Sequence, residues 1–351
     1  MEYREFGQTP AGEKVHLFTL KSKEGLVARI MNYGGIVTEL HVPDKDGNLA
    51  DVVLGFDSLA PYLAKHPYFG ALIGRVAGRI GGASFFHGRR IYPLTRNEGP
   101  NHLHGGAKGF HARLWSVGMK KNPDGDVLRL SYFSRDGEEG YPGNLKVAVT
   151  YALLGNELRI EYEAKCDQPT PFSPTHHSYF NLGGEGSGDI TGHHLHIAAD
   201  TYAPVDETFI ATGERRSVAG EANDFRVPIV LGSRMEGLFG RHGDNYFLTR
   251  KEPGFVLAAL AGHPESGRIM EVWTTESCVQ FFTGVGLDGS LVGKQGKPYL
   301  PFAGFCLECQ GFPGAVRHKG FDSIILEPGA TYRQTTVYRF VTKNSGKEEA
   351  S

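Results

Sequence analysis

Val147-Ala148-Val149-Thr150-Tyr151-Ala152-Leu153-Leu154-Gly155-Asn156-Glu157-Leu158-Arg159-Ile160-Glu161-Tyr162-Glu163-Ala164-Lys165 alternates apolar and polar side chains on its second arm. Leu158, Ile160, Tyr162 and Ala164 fall on one face, with Arg159, Glu161, Glu163 and Lys165 on the other. Val147, Val149, Tyr151 and Leu153 form the matching apolar face of the first arm. A period of two is that of a pleated strand, and a Gly-Asn link joins antiparallel neighbours. The run predicts a hairpin with one wet face.

The same reading extends in both directions. Strands are predicted at Val27 to Asn32, Ile36 to Val42, Val127 to Phe133, Phe255 to Ala261, Ile269 to Thr274 and Tyr332 to Phe340. Turn formers such as Asp46-Gly47-Asn48 and Pro264-Glu265-Ser266-Gly267 separate them. Helical periodicity is confined to Ser58 to Lys65, with Ser58 as a candidate N-cap. So many strands would make a single open sheet curl, so two large antiparallel sheets packed face to face are expected. The fold class is all-β, with few short helices. No composition shift divides the chain, which predicts one domain over residues 1–342 and a disordered tail at 343–351.

Bulk composition narrows the function. The formal net charge is -2 over 351 residues, and the basic pairs Arg89-Arg90, Lys120-Lys121 and Arg215-Arg216 are isolated, which argues against nucleic-acid and membrane-surface binding. Met1 to Gly7 lacks a basic start leading into an apolar run, and no apolar stretch of about 18 residues follows, so a soluble cytoplasmic protein is expected. Cys306 and Cys309 have C-x-x-C spacing, but no second pair completes a zinc ribbon; buried strand thiols are the expectation. The loop Gly183-Gly184-Glu185-Gly186-Ser187-Gly188 precedes no helix and reads as a strand connection rather than a phosphate cradle.

Three places carry chemistry. Asn97-Glu98-Gly99-Pro100-Asn101-His102-Leu103-His104-Gly105-Gly106 combines turn formers with two histidines, as a ligand-facing loop would. Pro174-Thr175-His176-His177-Ser178-Tyr179-Phe180-Asn181-Leu182 sets paired histidines beside aromatics and an amide. For both segments, satisfied core or surface histidines are the alternative. Pairs two apart, His102/His104 and His194/His196, would share a strand face and could offer imidazoles to a metal, but the glutamate that a cupin-like site needs after the first pair is missing. No metal is expected. The third place is Phe305-Cys306-Leu307-Glu308-Cys309-Gln310, one carboxylate in an apolar strand. It is either a general base with a raised pKa or a carboxylate bridged to an arginine.

At these places the chain resembles the aldose 1-epimerase (galactose mutarotase) family. The resemblance runs from about Asn32 to Phe340. It includes Asn32-Tyr33-Gly34-Gly35, Ile73-Gly74-Arg75-Val76-Ala77-Gly78-Arg79-Ile80, His177-Ser178-Tyr179-Phe180-Asn181-Leu182 and Val279-Gln280-Phe281-Phe282-Thr283-Gly284. It implies a large galactose mutarotase-like supersandwich, no cofactor, a small aldose as substrate, and a monomer or homodimer. Carried over by motif, His177 is the acid and Glu308 the base; Arg79, His104, Tyr179, Gln280 and Phe282 line the sugar site. The family usually reads Asp-His-Asn-Tyr where this chain has Gly243-Asp244-Asn245-Tyr246, so Asp244 is the displaced candidate for holding sugar hydroxyls. Gly78 and His176 each stand where the family commonly has asparagine. Trp273 is a further stacking candidate, with ordinary core packing as its alternative. A hexose 6-phosphate epimerase using Arg75 or Arg96, and a carbohydrate-binding protein without catalysis, are the competing readings.

Overall fold

The structure is a computed structural model and describes residues 1–238, 243–250 and 254–342; the predicted disordered tail lies outside these. The alternating hairpin is present as Leu145–Leu154 and Glu157–Cys166, in register from Leu145↔Cys166 to Leu154↔Glu157. Gly155 takes φ +55°, the sign that a two-residue hairpin needs at its first central position. Leu158, Ile160, Tyr162 and Ala164 are buried, and Glu161 and Lys165 are exposed.

This hairpin lies in a nine-stranded antiparallel sheet. Its order is Ser116–Asn122, Gly125–Ser134, Leu145–Leu154, Glu157–Cys166, Tyr332–Thr342, Arg268–Thr274, Val256–His263, His194–Ile197 and Ile229–Val230. A five-stranded N-terminal sheet runs in chain order through Glu2–Gln8, Lys14–Lys21, Val27–Met31, Val37–Pro43 and Leu49–Asp51. A second five-stranded sheet, called the site sheet below, has the order Arg216–Ser217, Thr201–Ala203, Asp244–Phe247, Cys278–Phe282 and Cys306–Gln310. One apolar cluster joins all three: Val149 and Ile160 from the large sheet, Leu20 and Ile30 from the N-terminal sheet, and Val279, Phe281 and Leu307 from the site sheet. Each such side chain contributes roughly 1.5–3 kcal/mol by leaving water. The large sheet thus packs against two smaller sheets rather than one partner of its own size, because short segments with pronounced turns interrupt the second layer.

The predicted helix is shorter than expected, Leu59–Leu63, and Ser58 occupies the N-cap position without a side-chain hydrogen bond. Cys306 and Cys309 are buried free thiols. The glycine loop connects strands and is anchored by its neighbours: Asn181 Nδ2 donates to the Gly188 and Ala303 carbonyls, and His193 Nε2 accepts the Leu182 N–H at 2.9 Å.

Candidate active site

A cavity of about 260 Å³ opens over one face of the site sheet. Its floor follows from register. Asn245 pairs with Gln280, and Gln280 pairs with Glu308, so three polar side chains cross three adjacent strands in one row and all line the cavity. Asp244 pairs with Phe281 and alternates to the opposite face. Asn245, not Asp244, therefore belongs to the cavity wall; one residue along a strand reverses the side from which a group is presented. Gly243 also lines the cavity, with φ +83° and its Cα so close to Gln280 that an added Cβ would lie 2.3 Å from Nε2.

His177 comes from a different pairing. Thr175–His177 pairs with Ala71–Ile73, and the same segment covers the free edge of the site sheet. Thr175 Oγ1 donates to the Cys309 carbonyl, and Phe180 and Phe305 exchange backbone hydrogen bonds. That docking brings His177 Nε2 to 3.6 Å from Glu308 Oε1, both side chains nearly inaccessible. Burial pushes the Glu308 carboxyl up to about 8, opposed by the nearby Arg79 charge. Burial also pushes the His177 imidazole down to about 4. Each group favours its neutral form, so near pH 7 the free pair shares a single proton held on the carboxyl.

The loop after His102–Leu103 supplies His104 at φ +51°. Its Nδ1 accepts the Gly78 N–H at 3.1 Å, so the neutral ring carries its proton on Nε2. Ligand-type atoms of His104, His177 and Glu308 lie within 4.8 Å of one another, a set that has metal-site composition. The tautomer fixed by Gly78 nevertheless makes His104 Nε2 a donor, not a metal ligand. Burial, then the neighbouring His177, holds this imidazole well below its usual range. His102 does not share its face: it is buried with Nδ1 2.7 Å from the Thr95 carbonyl and Nε2 2.8 Å from Tyr141 Oη. The shared-face expectation fails because the strand ends at Leu103 and the chain turns at His104.

Aromatic rings complete the walls. Tyr179 stacks on His177 with centroids 5.2 Å apart, and Phe282 meets Tyr179 edge-on at 5.9 Å. Tyr68 packs edge-on against His104 at 4.8 Å, and Phe209 covers the Arg79 guanidinium at 5.3 Å. Both, with Glu98, were missed by the sequence reading. Their signal was faint: Tyr68 lies between Pro67 and Phe69-Gly70, and Phe209 in a turn capped by Asp206.

Three sequence expectations are corrected. Trp273 lies away from the cavity, stacked on Phe255 with its indole N–H on Glu271. Arg75 is buried, and its donors are taken by Ser134, Arg135, Pro142 and Thr170. Arg96 is exposed and outside the cavity wall. Neither arginine is placed to receive a phosphate there, because one is spent on backbone and hydroxyl acceptors and the other lies outside the lining. Gly78, in place of an asparagine, provides both the N–H for His104 Nδ1 and the carbonyl for the His104 N–H. His176 is buried beneath the site, with Nε2 2.7 Å from Ser178 Oγ.

Known proteins share this arrangement of chain. The aldose 1-epimerase family profile matches residues 16–339. The galactose mutarotase of Sus scrofa is 45% identical over 336 residues, covering 95% of this chain and 97% of that one. The aldose 1-epimerase of Escherichia coli is 33% identical over 342 residues, covering 95% and 97%. The GalM/aldose epimerase homologue of C. elegans superposes with a TM-score of 0.86 at 31% identity, over 93% of this chain and 99% of that one. Galactose 1-epimerase of Lactobacillus acidophilus gives 0.84 at 26% identity, over 97% and 98%. No described helix is long and apolar enough to cross a membrane. With matches of this identity running nearly end to end, the chain belongs to the aldose 1-epimerase family.

Proposed function

We propose that this enzyme interconverts the α and β anomers of free hexoses, with Glu308 taking the O1 proton and His177 delivering one to O5. The observation that carries the reading is the juxtaposed pair: a buried carboxyl and a buried imidazole 3.6 Å apart at the floor of a cavity sized for one sugar ring. Proton transfer from Glu308 to His177 makes the carboxylate and imidazolium that the cyclic sugar requires. The carboxylate removes the O1 proton, C1–O5 breaks, and O5 takes the imidazolium proton. The aldehyde turns about C1–C2, and reclosure runs the transfers backwards.

Burial assists the opening step. Before it, the pair is charged in a site that disfavours charge; after it, both members are neutral. Each positioned proton carrier is worth roughly 10²- to 10⁴-fold. His104 Nε2–H and Arg79 supply donors to the partly charged oxygens, and Tyr179 and Phe282 supply apolar ring faces. Only a C–O bond and two protons change place, so no redox or group-carrying cofactor enters. Polarimetry of freshly dissolved α-D-galactose and α-D-glucose is the test. The enzyme should accelerate relaxation of the rotation, and His177→Asn should lower kcat by about 10²-fold or more while KM moves little. Near-normal turnover in His177→Asn would overturn the assignment.

A further inference from the structure

Among the described residues of the cavity wall one is an arginine, and it is already engaged. Arg79 Nε donates to Glu98 Oε2 and Nη2 to Glu98 Oε1, both at 2.6 Å, the parallel two-bond geometry of a guanidinium–carboxylate pair. Glu98 is held for this task. Its carbonyl accepts the Asn101 N–H, and the preceding Asn97 brackets Leu103 through both ends of its amide, beside the strand that pairs with Arg79. The Phe209 ring covers the guanidinium face. Nη1 is then the nitrogen without an acceptor among the described residues.

The charge balance follows. Among the described lining residues Arg79 and Glu98 form an ion pair in which one cation meets one carboxylate, while Glu308 and His177, which hold one proton between them, add no net charge. From this balance we infer that Glu98 is a positioning and specificity-determining residue. It orients Arg79 towards a neutral sugar oxygen and cancels its charge, so that aldoses carrying a carboxylate or phosphate are rejected. The inference rests on the aldose 1-epimerase reading and deepens it to a substrate class. An unpaired arginine in the same place would attract an anionic sugar instead, because guanidinium forks bind carboxylate and phosphate in this same geometry.

The test compares galactose with galacturonate, two aldoses that differ at C6 and both relax polarimetrically. Wild type should show kcat/KM for galacturonate far below that for galactose. Glu98→Gln should raise the galacturonate-to-galactose ratio about tenfold or more, the scale of one unit charge at short range in a partly shielded site. Added salt should then slow galacturonate selectively. Glu98→Asp, which keeps the charge, should return the ratio towards wild type. A structural role alone would depress both sugars together and leave the ratio fixed. If Glu98→Gln is folded yet inactive, calorimetric binding of the two sugars reads the same ratio. An unchanged ratio, or a wild type indifferent to the carboxylate, overturns the inference. Wild-type inactivity on galactose would instead overturn the parent reading.

Discussion

Glu308→Gln replaces a buried carboxyl by an amide of the same shape that does not ionise, and it isolates what the carboxylate does to folding. Glu308 is 3% exposed, and burial raises its pKa from 4.5 to about 8. Between those values the folded enzyme holds a proton on this carboxyl that the unfolded chain has released, so the contribution of Glu308 to wild-type stability falls as pH rises through that window. At about 1.4 kcal/mol per unit, the 3.5-unit interval amounts to roughly 4–5 kcal/mol above pH 8 and about 3 kcal/mol at pH 7. The glutamine variant lacks this slope. Urea denaturation at pH 4.5, 6, 7 and 8.5 should show the two proteins close at the acid end. The variant should gain progressively towards the alkaline end, while polarimetry finds its turnover lowered by orders of magnitude. A stability difference that stays flat from pH 4.5 to 8.5, or a variant that is the weaker protein at pH 8.5, would refute the burial argument.

Other perturbations test the scaffold around the pair. Gly105 has φ +82°, and a Cβ there would lie 1.7 Å from the Gly74 carbonyl oxygen, so Gly105→Ala should destabilise by about 2 kcal/mol or more and displace the adjacent His104. Its melting temperature and galactose turnover should fall together; an unaffected kcat would show that the loop does not position His104. Arg75→Ala should cost about 3–5 kcal/mol in chemical denaturation, because it strips partners from four residues in a buried cradle. Surviving Arg75→Ala enzyme should keep its KM for galactose, and a large rise in KM would place this arginine in the sugar site.

Much of this was legible in the chain. The period of two from Val147 to Lys165 is enforced by a half-buried pleat, and no helix can satisfy it. Sheet partnership was less legible: the apolar faces show that a second layer exists, but not that two five-stranded sheets share it. At the site, Arg79, His104, His177, Tyr179, Gln280, Phe282 and Glu308 all reach the cavity wall. Asp244 does not, because side chains alternate along its strand and it is Asn245, one residue on, that faces the cavity. Tyr68, Glu98 and Phe209 arrive from loops, whose placement depends on hydrogen bonds closed elsewhere, such as Asn97 to Leu103. Trp273 misled because an amphipathic ring on an outer sheet face looks the same in sequence as one in a cleft.

His177 and Glu308 sit on strands that belong to separately paired sheets, so their 3.6 Å spacing depends on how one sheet is docked along the edge of the other. A displacement of about 1 Å is enough to lower a rate by roughly 100-fold. Turnover is thereby a finer ruler of that docking than any signal averaged over the strands. On heating, the epimerase activity would fade while the sheets still give their full circular dichroism, and the lag between the two curves would measure how early that seam loosens.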